Sequence, residues 1–183
     1  MKAAKCAVGF TLIELLVVVA VLGVILTVAT PNLAGMMVTS GLEAQSNAFL
    51  FAVHLTRHEA VKRNARMVLC KSAAGSSCDT SGGWEKGWII FHDVNNNTAV
   101  DAGETIIQRK QALPASFLLR GNSPVSKYVS YTSTGVAKLS SGAFQAGTLT
   151  LCSLSSSGGE ARQIVISITG RPRVEETTVA SCA

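Results

Sequence analysis

Near the C-terminus, Gly170, Arg171, Pro172 and Arg173 read G-R-P-R. Glycine permits a turn and proline fixes its backbone, so the two guanidinium groups should project from a stiffened tip. A guanidinium is always charged and can grip phosphate through two parallel hydrogen bonds, so this turn suits contact with a polyanion, although on these residues alone a solvated hairpin with incidental charges is the favoured reading. Arg162 and Lys138 are the basic residues that could extend the patch, while Glu175 and Glu176, close behind it, oppose phosphate. A second group is acidic: Asp93, Asn95, Asn97, Asp101 and Glu104 fall at the first, third, fifth, ninth and twelfth positions of a calcium loop. That template also asks for glycine at its sixth position, where Thr98 stands, and for flanking helices where this sequence has strand-like runs. The loop is a weak calcium candidate, and a hairpin whose side chains cap its own backbone is the favoured reading. His54 and His58 stand four apart on one helix face, a metal-binding spacing, but no third ligand is evident, so they read as solvated. No metal or cofactor is expected. The three histidines form no triad with a nucleophile and no glycine-rich phosphate loop occurs, so an enzyme is not expected.

These residues must be held by a chain of 183 residues, 48% hydrophobic but only 15% charged and 5% aromatic, with a net charge of +5. The apolar content excludes disorder and the charge is too modest for a polybasic coat. The apolar residues are concentrated from Phe10 to Ala29, FTLIELLVVVAVLGVILTVA, where Glu14 is the only charge. About 20 apolar residues span a bilayer as a helix, and a secretory signal would have a shorter core of about 7–15 residues. Lys2 and Lys5 before the run orient it with the C-terminal part outside. Pro31 should kink or end this helix. Beyond it, Leu33, Met36, Met37, Leu42, Ala44, Ala48, Leu50, Phe51, Val53 and Leu55 recur at approximately helical spacing, so an amphipathic helix should continue to about Arg66. There Arg57, Lys62, Arg63 and Arg66 read as a solvated basic face near a helix C-terminus.

From Met67 the runs MVLCK, GWIIFHD, TIIQRK, SFLLRG, KYVSYTS, TLTLCS and RQIVISITG are bounded by turn residues, as in a small, mostly antiparallel β domain. VEETTVASC after the G-R-P-R turn reads as a tail, and residues 74–83 and 155–159 as loops. The expected fold class is therefore α+β, a long N-terminal helix packed on a β-rich domain. Trp84 and Trp88, the only tryptophans, should anchor its core.

Gly9, Phe10, Thr11, Leu12, Ile13 and Glu14, followed by the unbroken apolar run, resemble the class III signal of type IV prepilins and type II secretion pseudopilins. The resemblance implies cleavage by a prepilin peptidase after Gly9, N-methylation of Phe10, and pairing of Glu14 with the terminal amine of a neighbouring subunit during assembly. An intramembrane carboxylate is costly unless partnered, which suits that role. WEKGWIIFHDVNNNTAVDAGE, from Trp84 to Glu104, resembles the GspH/FimT/FimU group of minor pilins and pseudopilins. The implied organisation is a cleaved leader over 1–9, a membrane-spanning polymerisation helix over 10–30, its amphipathic continuation over 31–66 and a β-rich domain over 67–183, a type IV pilin-like fold.

Loss of the leader removes Cys6, which leaves Cys70, Cys78, Cys152 and Cys182, a set with three possible pairings. Cys70 with Cys78 would close a local loop, and Cys152 with Cys182 would tie the tail to a strand. Disulfides imply an oxidising compartment. It also removes Lys2 and Lys5, so the mature charge falls to +3. Finally, Gly170, Arg171 and Arg173 match the G-R-x-R sequence that FimT-type minor pilins use to bind DNA in natural transformation. The expectation is a minor pilin that binds extracellular double-stranded DNA without sequence preference. Its other partners would be major and minor pilins, and it would reside in the bacterial inner membrane with its β domain periplasmic, then in a pilus at the cell surface. The alternative is a structural minor pilin or secretion pseudopilin that primes assembly without binding DNA.

Overall fold

The computed structural model describes residues 9–154 and 159–182, with the backbone alone over 27–34. Lys2, Lys5 and Cys6 of the leader, and residues 155–158 of the expected loop, lie outside the described residues. Helix α1 spans Leu12–Arg63, 52 residues. Thr11 and Glu14 start it as a reciprocal capping box: the Thr11 amide donates to Glu14 Oε2 (2.9 Å) and the Glu14 amide to Thr11 Oγ1 (3.4 Å). The helical backbone continues through Pro31, where the sequence predicts a kink or an end; a proline withdraws a single donor, and the bonds on either side carry the helix past it. It stops at Arg63, short of the expected Arg66, because Asn64 turns left-handed (φ 50°). Ala65 then donates to the Ala60 carbonyl (3.1 Å) and Asn64 to that of Val61 (3.2 Å), which is a Schellman cap.

Two compact units divide the chain, Met1–Thr39 and Ser40–Ala183. In the first, the apolar run is exposed, from Leu12 at 76% to Leu26 at 61%. Among the described residues no helix is long and apolar enough to cross a membrane; the last residues of the run, Thr27 to Ala29, fall where only the backbone is described.

The second unit is built on one face of the later part of α1. Leu42, Ser46, Phe49, Val53, Thr56 and Ala60, alternately four and three apart, are all buried. Strands β1 (Met67–Lys71), β2 (Trp88–His92), β3 (Ile106–Lys110) and β5 (Tyr128–Tyr131) form one sheet in the order β3-β2-β1-β5. Strands β4 (Phe117–Gly121), β6 (Gly147–Ser153), β7 (Gly159–Ile166) and β8 (Pro172–Val179) form the other in the order β4-β6-β7-β8. All neighbouring strands are antiparallel. Phe49 stands edge-on to both Trp84 and Trp88, with ring centroids 5.2 and 5.1 Å away, and both indoles are buried. The Trp84 indole N–H is satisfied by the Val125 carbonyl at 3.0 Å.

The segment that reads as a tail is mostly strand β8, eight residues at the edge of the second sheet. Pro172 occupies its first position, where its missing donor does least harm, and Glu175 and Glu176 charge the edge. Those residues conceal the strand in the sequence. Disulfides join Cys70 to Cys78 and Cys152 to Cys182, with Cα atoms 5.6 and 5.7 Å apart. The second bridge fastens the segment after β8 to β6.

Candidate nucleic-acid interface

The G-R-P-R residues form the turn between β7 and β8. Gly170 has φ 77°, its amide donates to the Ser167 carbonyl (2.8 Å), and the Ser167 amide donates to the Arg171 carbonyl (3.1 Å). The Arg171 amide in turn donates to Ser167 Oγ at 3.1 Å. A side chain on Gly170 would strain the backbone and press on its surroundings: a Cβ there would lie 2.8 Å from the Ala137 amide nitrogen and 3.0 Å from the Gly135 carbonyl oxygen. The buried Tyr131 hydroxyl donates to the Gly170 carbonyl at 2.8 Å. Burial, partly opposed by the Arg57 charge, pushes the Tyr131 phenol well above its ordinary value, so it remains a donor.

Arg171 is exposed, and among the described residues it has no ion-pair partner. Arg173 is exposed as well, but its Nε lies 2.6 Å from Glu175 Oε1. Arg162 does not join them. It pairs across β7 and β8 with Glu176, its Nη2 is 3.1 Å from that carboxylate, and the residue is 7% exposed. The two-residue period of a strand places Arg162 with Ile164 and Ile166, on the face opposite Val165 and its partner Arg173. Lys138 is half-buried, with Nζ 5.6 Å from the Phe144 ring centroid.

A residue that the sequence leaves on a solvated helix face stands beside the turn instead. Arg57 of α1 donates from Nε to the Gly135 carbonyl at 2.9 Å. Gly135 belongs to the turn after β5, in which the Thr132 amide donates to the Val136 carbonyl (3.0 Å) and the Gly135 amide to the Thr132 carbonyl (2.8 Å). On α1, one helical turn before His58, partial desolvation first, then the charges of Arg57 and Arg171, hold the His54 imidazole below the usual histidine range. Cations beside a histidine disfavour a metal there. No spacing rule finds Arg57, because 78 residues separate it from the carbonyl that fixes it.

The acidic loop uses its oxygens on itself. Buried Asp93 accepts from the amides of Asn97 (3.1 Å) and Thr98 (3.0 Å) and lies 3.8 Å from Arg66 Nε. The Asn95 and Asn97 side-chain amides both donate to Asp101 Oδ2, at 2.8 and 2.6 Å. Glu104 accepts from the amides of Val94 (2.8 Å) and Asp101 (3.1 Å). Among the described residues no group of three or more histidines, cysteines and carboxylates is placed to hold a metal. At the N-terminus, Gly9 and Phe10 are exposed, and Glu14 is engaged in its own helix cap.

A long N-terminal helix, with an exposed apolar first part and a later face buried in two antiparallel sheets, defines the type IV pilin-like fold. Solved structures agree. The type IV minor pilin FimU of Pseudomonas aeruginosa superimposes with a TM-score of 0.57 at 16% identity, covering 79% of this chain and 97% of that one. The minor pseudopilin EpsH from the type 2 secretion system of Vibrio cholerae gives 0.50 at 10% identity, covering 73% and 95%. Residues 45–170 match the family described as type II transport protein GspH, and residues 9–30 match the prokaryotic N-terminal methylation motif. The chain belongs to the GspH family and carries the methylation motif. It is 30% identical over 176 residues to the pilin-like protein PilA1 of Thermus thermophilus, covering 91% of this chain and 97% of that protein. The GspH match ends at Gly170, so Arg171 and Arg173 stand just beyond it.

Proposed function

We propose that this protein is a minor pilin of a type IV pilus and that it binds extracellular double-stranded DNA for uptake. In this reading the chain is cleaved after Gly9 and methylated on Phe10, sits in the inner membrane through its first helix, and enters the fibre by pairing Glu14 with a neighbouring subunit. The observation that carries the DNA reading is the Gly170–Arg171 turn: an exposed guanidinium without an ion-pair partner among the described residues, on a backbone braced by Ser167 and Tyr131. Contacts of this kind recognise the phosphate backbone, so binding should ignore sequence and weaken steeply with salt. The Arg173–Glu175 pair does not oppose it, because an exposed pair contributes about 0–1 kcal/mol and a phosphate can compete for the guanidinium.

The test is a mobility-shift titration of the full chain in detergent micelles, comparing wild type with Arg171→Ala plus Arg173→Ala. Binding at low salt that disappears in the double variant is the expected result; no binding at low salt ends the DNA reading. A second reading is a type II secretion pseudopilin that primes assembly, favoured by the GspH match and by the likeness to EpsH. Incorporation of the tagged chain into surface pili decides for the pilus, and its confinement to a periplasmic pseudopilus decides for the secretion system.

A further inference from the structure

We infer that the phosphate-binding site is built from two elements, Arg57 of helix α1 together with Arg171 of the β7–β8 turn. The inference rests on the DNA reading and changes which residues form the site. Its basis is a shared point in the backbone. Gly135 accepts the Arg57 Nε hydrogen bond at 2.9 Å, and the same carbonyl oxygen would lie 3.0 Å from a Cβ on Gly170. A Cβ on Gly135 would meet Val61 at 3.1 Å and Arg57 Nε at 3.3 Å, so the 132–136 turn is wedged directly between α1 and the Gly170 turn. Two glycines with positive φ, 73° and 77°, allow this close stacking, and Tyr131 bonds the second turn to the same core.

Anchoring through Nε leaves the terminal nitrogens of Arg57 without a hydrogen bond among the described residues, and Arg57 has no carboxylate partner there. Glu59, the nearest acid in sequence, is committed to Arg63 at 2.5 Å and Lys62 at 3.6 Å. An anion bound here would take hydrogen bonds from the free terminal nitrogens of Arg57 and from Arg171, two cations with no carboxylate partner among the described residues.

The experiment measures the affinity of a short DNA duplex for the full chain in detergent micelles as a function of salt. Removing a single cation that touches phosphate should reduce the slope of log affinity against log salt by about one. Arg57→Gln is expected to lower the slope by about one, as Arg171→Ala does. Arg57→Lys, which keeps the charge but not the planar fork, should restore most of it. Lys110→Gln, an exposed charge on β3, should leave it unchanged. If wild type binds and Arg171→Ala weakens it while Arg57→Gln has no effect, the two-element site is wrong and the DNA reading stands. If wild type fails to bind, both fall.

Discussion

Arg171 and Arg173 look equivalent in the sequence, and their surroundings separate them. Arg173 is held by Glu175 at 2.6 Å, whereas Arg171 has no carboxylate partner among the described residues. Arg171→Ala should therefore weaken DNA binding more than Arg173→Ala. Glu175→Gln should strengthen it, by releasing Arg173 and removing a charge that repels phosphate; unchanged or weaker binding of that variant would show the Arg173 pair to be irrelevant. Gly170→Ala tests the turn without altering any charge. Placing a Cβ at φ 77° and 2.8 Å from the Ala137 nitrogen should cost on the order of 1–3 kcal/mol in urea unfolding and displace Arg171, lowering affinity as well. Stability should also depend on pH through His54. Its folded pKa lies below the unfolded value, so the unfolded chain takes up the proton first. Stability is then full above the unfolded histidine pKa and declines as the pH falls toward the folded one. His54→Gln should flatten that part of the urea-midpoint profile.

At the scale of elements, the Asp93–Glu104 loop carries a strain that its neighbours do not. Thr98 is β-branched yet adopts φ 62°, with its amide held at 3.0 Å by Asp93. A left-handed conformation costs a residue with a Cβ about 1–2 kcal/mol, and glycine avoids it, so Thr98→Gly should raise the urea midpoint by up to about 1 kcal/mol of stability. A lower midpoint would mean that the threonine side chain contributes more than its backbone costs. The Cys152–Cys182 bridge, whose ends are 30 positions apart, should stabilise by about 3–4 kcal/mol on the loop-entropy model, so Cys182→Ser should expose the segment around β8 to protease first. Much at this scale was legible from local pattern. The long helix, the strands around Trp88 and Tyr128, and the role of both tryptophans follow from periodicity and turn residues. Strand β8 was not legible, because an edge strand is specified by its neighbour β7 and not by alternation of its own. The helix end at Arg63 depends on Asn64 turning left-handed, which no apolar periodicity reports. Arg57 was illegible for a third reason: its place in the site comes from a tertiary contact with Gly135, and nothing local marks it.

At the scale of the whole molecule, the described residues from Leu12 to Leu26 form an exposed apolar run, large and continuous for a surface that faces water. In the proposed function, lipid and then neighbouring copies of such a helix cover it, and Glu14 lies near its start. In the single chain the Glu14 carboxylate caps its own helix through Thr11, so a neighbouring subunit's amine would have to share or displace that bond. The two roles separate by substitution. Glu14→Ala removes both the cap and the charge, whereas Glu14→Gln keeps an oxygen that can accept from the Thr11 amide and loses only the charge. A cap is worth about 0.5–2 kcal/mol, little to a helix of 52 residues, so capping alone predicts that Glu14→Gln enters fibres as wild type does and Glu14→Ala nearly so. Charge pairing between subunits predicts that both variants accumulate in the membrane fraction and are depleted from sheared fibres, with the second unit equally folded in each. Quantifying the tagged chain in the two fractions decides it: normal incorporation of Glu14→Gln would leave Glu14 a cap and nothing more.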